Sequence, residues 1–222
     1  MQNKSESISI GNKINDFVQR NRKSIFLILS LFVVLFAGTI IFLSMRDHLQ
    51  KKAIVEVEEL STRFFELSLN ASADMDALLA DLNSFAKGKS GYAGGKAWSL
   101  IGQIYSGREQ WAQAEEAWRN AAKAGSRTYL APIAYFNAAV AAEEQGKLEQ
   151  AIELLGNCIG GPFVFPAEPR AQFAIGRLNE NLNNIPAAIE AYRNVIINWP
   201  DVTNWVNLAH SRISVLEVEA VR

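Results

Sequence analysis

From Ser24 to Ser44 the chain reads SIFLILSLFVVLFAGTIIFLS, 21 residues without a single charge. After that run the apolar positions change rhythm and recur every three or four residues, the period of an amphipathic helix. Leu49, Ala53, Val57, Leu60, Phe64 and Leu67 form one such stripe, and Met75, Leu78, Leu79, Leu82 and Phe85 form the next. The pattern then continues in short blocks, broken by glycine, asparagine and proline, to the end of the chain. It predicts an all-α protein.

The uncharged run is about 31 Å long as a helix at 1.5 Å per residue, which matches the hydrocarbon core of a bilayer. It exceeds the 7–15 apolar residues usual in a cleaved signal peptide, and FLSMRDHLQ offers no small-x-small cleavage site. A single permanent transmembrane helix over 24–44 is therefore expected. Residues 1–23 carry five Lys/Arg and two Asp/Glu, whereas 45–222 carry 17 and 21. Positive flanks stay on the cytoplasmic side. This bias puts the short basic tail inside and the rest of the chain outside.

The blocks after residue 95 repeat themselves. Trp98, Ile101, Gly102 and Tyr105 have the spacing W-x2-L-G-x2-Y and are followed by Ala114-x3-Trp118. Tyr135, Ala138, Ala139 and Ala142, then Ala151-x3-Leu155, repeat it, and Ile175, Gly176 and Ala188-x3-Tyr192 repeat it again. Corresponding positions lie 37 residues apart. Small residues at 102, 139 and 176 let paired helices approach, and large ones at 118, 155 and 192 fill the groove. Gly146 falls between the two helices of the second unit, where a left-handed residue ends a helix without strain. Asn183 and Asn184 occupy that turn in the third unit, since asparagine tolerates the same conformation.

This spacing resembles the tetratricopeptide repeat, a helix–turn–helix unit of 34 residues. The expected organisation is a cytoplasmic basic tail (1–23), a transmembrane helix (24–44), and an amphipathic helical hairpin, read as a degenerate repeat, with its linker (45–94). Three tetratricopeptide repeats (95–202) and a C-terminal capping helix (203–222) complete an α-solenoid. The glycine-rich KGKSGYAGGK, residues 87–96, reads as a flexible join. In the last segment Trp205, Leu208 and Ala209 take the first-helix spacing of a fourth unit. An alternative for 46–70 is a parallel coiled-coil dimer above the membrane, which would make the protein a homo-oligomer.

The layout as a whole resembles the ancillary subunit of the bacterial Sec translocon, the YfgM-like family, and related membrane-anchored periplasmic repeat proteins. That resemblance implies a protein-interaction adaptor in the bacterial cytoplasmic membrane, with its N-terminus in the cytoplasm and its repeats in the periplasm. Translocon subunits, chaperones and secreted chains would be its partners. A scaffold for envelope assembly or cell division is the alternative. In tetratricopeptide repeats the concave surface is lined by positions 2, 5, 9 and 12 of each first helix. Here these are Lys96, Ser99 and Gln103, then Ile133, Phe136, Val140 and Glu143, then Arg170, Phe173, Arg177 and Glu180. Phe136, Val140 and Phe173 flanked by Arg170 and Arg177 would suit an extended apolar peptide with an acidic residue nearby. The opposing reading packs both phenylalanines beneath neighbouring helices.

Little else in the chain suggests chemistry. A formal net charge of −1 with no concentrated basic face argues against a nucleic-acid partner. His48 and His210 are far apart, so no metal site or cofactor is expected. The one cysteine, Cys158, falls where a second helix needs a small buried residue. Glu115–Glu116 and Glu143–Glu144 are adjacent pairs that cannot face each other on a helix; both read as solvated faces. No catalytic constellation is found, and the protein is not expected to be an enzyme.

Overall fold

A computed structural model describes residues 2–70 and 74–219 of the chain. Every regular element among them is an α-helix. The contacts divide the chain into two units, Met1–Lys52 and Ala53–Arg222. The first consists of the leading part of α1 (Gln2–Asn70). Its apolar stretch is long and hydrophobic enough to cross a membrane, and none of it is buried against the protein. By length and composition such a helix near the N-terminus is either a membrane span or a signal sequence.

In the second unit the remainder of α1 joins α2 (Met75–Ala86) and α3 (Gly91–Gly107), followed by α4 (Trp111–Ala124), α5 (Leu130–Glu144) and α6 (Leu148–Gly156). The helices α7 (Glu168–Asn181), α8 (Ile185–Asn198) and α9 (Thr203–Glu219) complete it. From Ala53 onward the stripe on α1 is consumed inside the chain, while Leu49 stays exposed. Ala53 and Val57 are buried in a cluster with Leu78, Leu82, Ala97 and Ile101, and Leu60, Phe64 and Leu67 pack against it. Between Ala53 and Leu67 the face read as a possible coiled-coil seam thus packs on α2 and α3.

Three hairpins follow, α3–α4, α5–α6 and α7–α8, and each closes on the same contact. A Cβ placed on Gly102 would lie 2.7 Å from the Trp118 ring, and one on Gly176 would lie 2.5 Å from the Tyr192 ring. In the second hairpin Ala139 stands where those glycines stand, opposite the smaller Leu155, and both are buried. Size is conserved across the pair. The turns match as well: Glu109, Gly146 and Asn183, each 37 residues from the next, have φ of 58°, 73° and 57°. After each, the next backbone N–H donates to a carbonyl of the first helix: Gln110 to Tyr105, Lys147 to Ala142 and Asn184 to Asn179. The structure therefore adds Glu109 to the left-handed positions that the sequence marks with Gly146 and Asn183.

Two expectations need correction. The stretch read as a flexible join is helical from Gly91 onward; only Lys87–Ser90 connects α2 to α3. Gly88 and Gly91 hold left-handed backbone, at φ of 72° and 70°, and Gly94 and Gly95 answer to space. A Cβ on Gly94 would meet the Lys89 carbonyl oxygen at 2.5 Å, and one on Gly95 would meet the Gly125 backbone at 3.0 Å. The second correction concerns α9. Ala97, Ala134 and Ala171 are fully buried, and each shares a cluster with the second helix before it. On α9 that place is taken by Ala209, likewise at 0% exposure and clustered with Ala188, Tyr192 and Val195 of α8. Seven residues on, Ile104, Ala141, Leu178 and Leu216 are all buried as well.

Ala209 thus corresponds to Ala97 rather than to Gly102, a five-residue change of register. The face that would accept a second helix in a fourth hairpin then carries His210, Ser214 and Glu217, all exposed. A polar outer face is what a terminal helix needs to close a solenoid. This explains why α9 caps the array.

Replacing Gly176 with Ala should lower stability by about 1–2 kcal/mol, because the overpacking against Tyr192 exceeds the helix-propensity gain. Adding Tyr192→Leu, which copies the second hairpin, should give a double variant more stable than the two single losses predict. Denaturant melts of the detergent-solubilised chain measure this; strict additivity would break the proposed pairing. In the same melts Glu109→Gly should stabilise the protein by up to about 1 kcal/mol, since a non-glycine residue in the left-handed region costs about that much. A loss of stability would show that the Glu109 turn is unstrained.

Candidate functional site

The first helices α3, α5, α7 and α9 share one face, and its polar groups are tied together between neighbours. Arg177 on α7 donates twice to Glu143 on α5, at 2.6 and 2.7 Å. One repeat on, Arg212 of α9 donates through Nε (3.1 Å) and Nη2 to Glu180 of α7. The Tyr192 hydroxyl also donates to Glu180, at 2.5 Å. Burial pushes the Glu180 carboxyl up, but the hydrogen bonds and charge from Arg212, with Tyr192, outweigh it and hold the group below the ordinary carboxylate range. In the first hairpin Ser106 stands at the position of Glu143 and Glu180 and accepts from Trp118 Nε1 at 3.1 Å. Where the second helix supplies an aromatic donor, the first helix supplies its acceptor.

The candidate peptide-binding residues divide. Phe136 is half-buried, 6.0 Å from the Phe165 ring, with the Arg170 guanidinium 5.0 Å over its face. Val140, one turn further along α5, remains 39% exposed. Arg170 is exposed, and among the described residues it forms no ion pair with a carboxylate, whereas Arg177 is held by Glu143. Phe173 sits apart from these. Its ring lies 4.9 Å from Tyr192 and 5.3 Å from Trp205, packed between α8 and α9. The structure brings Phe136, Val140, Arg170 and Arg177 to one face, while Phe173, half-buried like Phe136, packs its ring against Tyr192 and Trp205.

The corrected register of α9 adds residues that sequence reasoning missed. Leu208, Ser211, Val215 and Val218 occupy the places of Lys96, Ser99, Gln103 and Ser106 on α3, and all four are exposed. The signal that would have found them is the recurrence of Ala97, Ala134 and Ala171 at 37 residues, continued by Ala209 at 38. Ile133 on α5 is also exposed on this face. Of the two loop aromatics, Phe165 packs on Phe136 and Phe163 is half-buried, while Val164 between them is 92% exposed.

Glu115 departs from its sequence reading. It is buried, and it accepts from Gln145 Nε2 and Lys147 Nζ, both at 3.0 Å, and from Gln150 Nε2 at 2.6 Å. These partners lie in the turn after α5 and in α6, so the carboxylate locks one hairpin to the next. Adjacent Glu116 and Glu144 are exposed, and Glu143 is paired. Only the helix phase separates the solvated member of each pair from the structural one. Cys158 is 1% exposed. Burial, aided by the charge of Glu168, pushes its thiol up to about 12, so it stays an unreactive thiol at neutral pH.

The division between Phe173 and Val140 is measurable. Phe173→Ser should cost about 2 kcal/mol or more, because it empties a packed aromatic site. Val140→Ser should stay within about 0.5 kcal/mol. Equal melting behaviour of the two variants would show that the Phe173 ring contacts with Tyr192 and Trp205 do not stabilise the fold.

Comparison with known proteins agrees with this architecture. Family models of the tetratricopeptide repeat match residues 100–157 and 170–201. A TPR repeat-containing protein of Treponema pallidum (strain Nichols) is 38% identical over 98 residues, covering 44% of this chain and 40% of the relative. The match thus spans less than half the length of that protein. Among solved structures, the MamA RS-1 ArsTM double mutant superposes with a TM-score of 0.54 at 13% identity, over 74% of this chain and 84% of that one. A Podosopora anserina protein described as a kinesin light chain with nearly identical TPR-like repeats gives 0.51 at 13% identity, over 66% and 76%. Likeness at that identity speaks for the fold alone. The hairpins spaced 37 residues apart, their small-against-large crossings and the matched models support tetratricopeptide repeats, which are protein-interaction modules, over residues 100–157 and 170–201 of an all-helical solenoid.

Proposed function

We propose that the protein is a membrane-tethered adaptor that takes protein partners on the face formed by α5, α7 and α9. The observation that carries this reading is the placement of Ile133, Val140, Leu208, Val215 and Val218. They are apolar and exposed at first-helix positions of α5 and α9. A cluster of exposed apolar side chains rimmed by charge marks a protein-binding surface. The long apolar helix α1 supports tethering, and the positive residues before it favour a cytoplasmic N-terminus with the repeats in the periplasm. With this layout, the partners we infer are subunits of the secretion translocon, periplasmic chaperones and emerging secreted chains. Residues 1–23, 24–44, 45–94, 95–202 and 203–222 would serve as tail, anchor, first hairpin with its join, binding repeats and cap.

Two experiments test this. A reporter active only in the cytoplasm, fused after Arg222, should give no signal, and strong activity would reverse the topology. A photo-crosslinking amino acid in place of Val140, in the full chain in bacterial membranes, should trap translocon subunits, chaperones or exported chains. Capture of division or outer-membrane assembly proteins would point to the scaffold role instead. No crosslink from this position, with crosslinks from exposed Glu149 on α6, would move the binding face elsewhere.

A further inference from the structure

Resting on the membrane-tethered reading above, we propose that the start of the apolar helix carries a site for one anionic phospholipid. A groove of about 590 Å³ runs along α1 there, lined by Arg22, Lys23, Phe26, Leu27 and Ser30. Side chains three or four positions apart share a helix face. Arg22 and Lys23 therefore stand one turn before Phe26 and Leu27, and Ser30 stands one turn after them. Ser30 is the smallest side chain of the five, and it gives the groove its depth. The face reads cationic, then apolar, then open, which is the order of a phospholipid from its phosphate into its acyl chain.

The cations at this place are uncommitted. Three of the five Lys/Arg of residues 1–23 fall at positions 20, 22 and 23, against the uncharged run. Among the described residues none of Arg20, Arg22 and Lys23 forms an ion pair with a carboxylate. Beyond the other end of the run the arrangement differs, because Asp47 holds Lys51 at 2.8 Å. A phosphate brought to Arg22 and Lys23 gains charge-assisted hydrogen bonds, and no internal pair has to break first.

The occupant follows from charge and place. A basic side chain at an anionic lipid surface strengthens binding about fivefold. Phosphatidylethanolamine brings its own ammonium, a like charge beside Arg22 and Lys23, so a headgroup with net negative charge is preferred. Phe26 and Leu27 are exposed on this helix, and an acyl chain covers them without any protein partner. General attraction between surface charges would need only the two cations. The groove makes Ser30 matter as well, and this separates a site from a charged rim.

The test uses the full chain reconstituted in nanodiscs of equal parts phosphatidylglycerol and phosphatidylethanolamine. Native mass spectrometry then reads which lipid stays on the released protein. One phosphatidylglycerol should be retained, at least about tenfold over phosphatidylethanolamine. Arg22→Gln combined with Lys23→Gln should remove that preference. Ser30→Leu keeps every charge but fills the groove, and it too should lose the retained lipid. Arg46→Gln, beyond the other end of the run, should change nothing. Excess glycerol phosphate should not displace the lipid, because it has no chain to lie against Phe26. Equal retention of the two lipids would overturn the site. Unchanged retention in Ser30→Leu would also overturn it, leaving only general attraction of charge, and displacement by glycerol phosphate would overturn the lipid as occupant. A chain that never enters the nanodiscs would overturn the tether itself, and with it this site.

Discussion

In each hairpin of this solenoid the bulkiest side chain of the second helix lies against a place where the first helix has almost nothing to offer. Trp118 and Tyr192 lie against Gly102 and Gly176, closer than any Cβ would permit, while Leu155 faces Ala139. Interiors pack at crystal-like density, so the sum of the two side chains is constrained more tightly than either one alone. That sum sets how near the paired axes come. Because the same crossing recurs every 37 residues, successive hairpins repeat one geometry and their first helices share a face. The candidate binding residues owe their common side to this contact.

The crossing also decides which polar groups are free. An aromatic with a donor, packed on glycine, reaches the acceptor one turn further along the first helix, as Trp118 does to Ser106 and Tyr192 does to Glu180. Leucine at that place has no donor, and Glu143 turns instead to Arg177 of the next hairpin. Glu115 joins the first two hairpins through a buried carboxylate with three donors. Removing one partner of such a group is strongly destabilising, although its net contribution to stability is small. Once these pairings are made, Arg170 lies exposed over the Phe136 ring rather than in an ion pair with a carboxylate of the described residues.

Much of this was legible in the chain before any coordinates. The uncharged 24–44 run marked the apolar helix, and the recurrence of small and large residues marked the hairpins. Gly146 and Asn183 marked left-handed turns, and Cys158 a buried small site. These features are local or periodic, and each is dictated by backbone sterics or by the need to fill one crossing. The candidate binding face was legible only in part. Phe136, Val140 and Arg170 lie where the repeat positions put them, but nothing along the sequence shows that Trp205 comes round to cover Phe173.

The features that only the tertiary structure decided all depend on which neighbour lies opposite. A helical period says that a residue faces inward, but it does not say against what. KGKSGYAGGK reads as a join because glycine weakens helices, yet Gly95 is there so that α3 can pass close to the backbone at Gly125. Glu115 and Glu116 read alike as a charged pair, and packing against α6 buries one of them. Trp205, Leu208 and Ala209 fit the first-helix spacing, but α8 selects Ala209 as its contact. That choice leaves Leu208, Val215 and Val218 exposed at the first-helix positions and a polar cap outside. The sequence determined the elements, their period and their turns, because those rest on neighbours in the chain. Register at the array's end and the burial of single polar or aromatic groups were decided by surfaces that meet only when the hairpins stack.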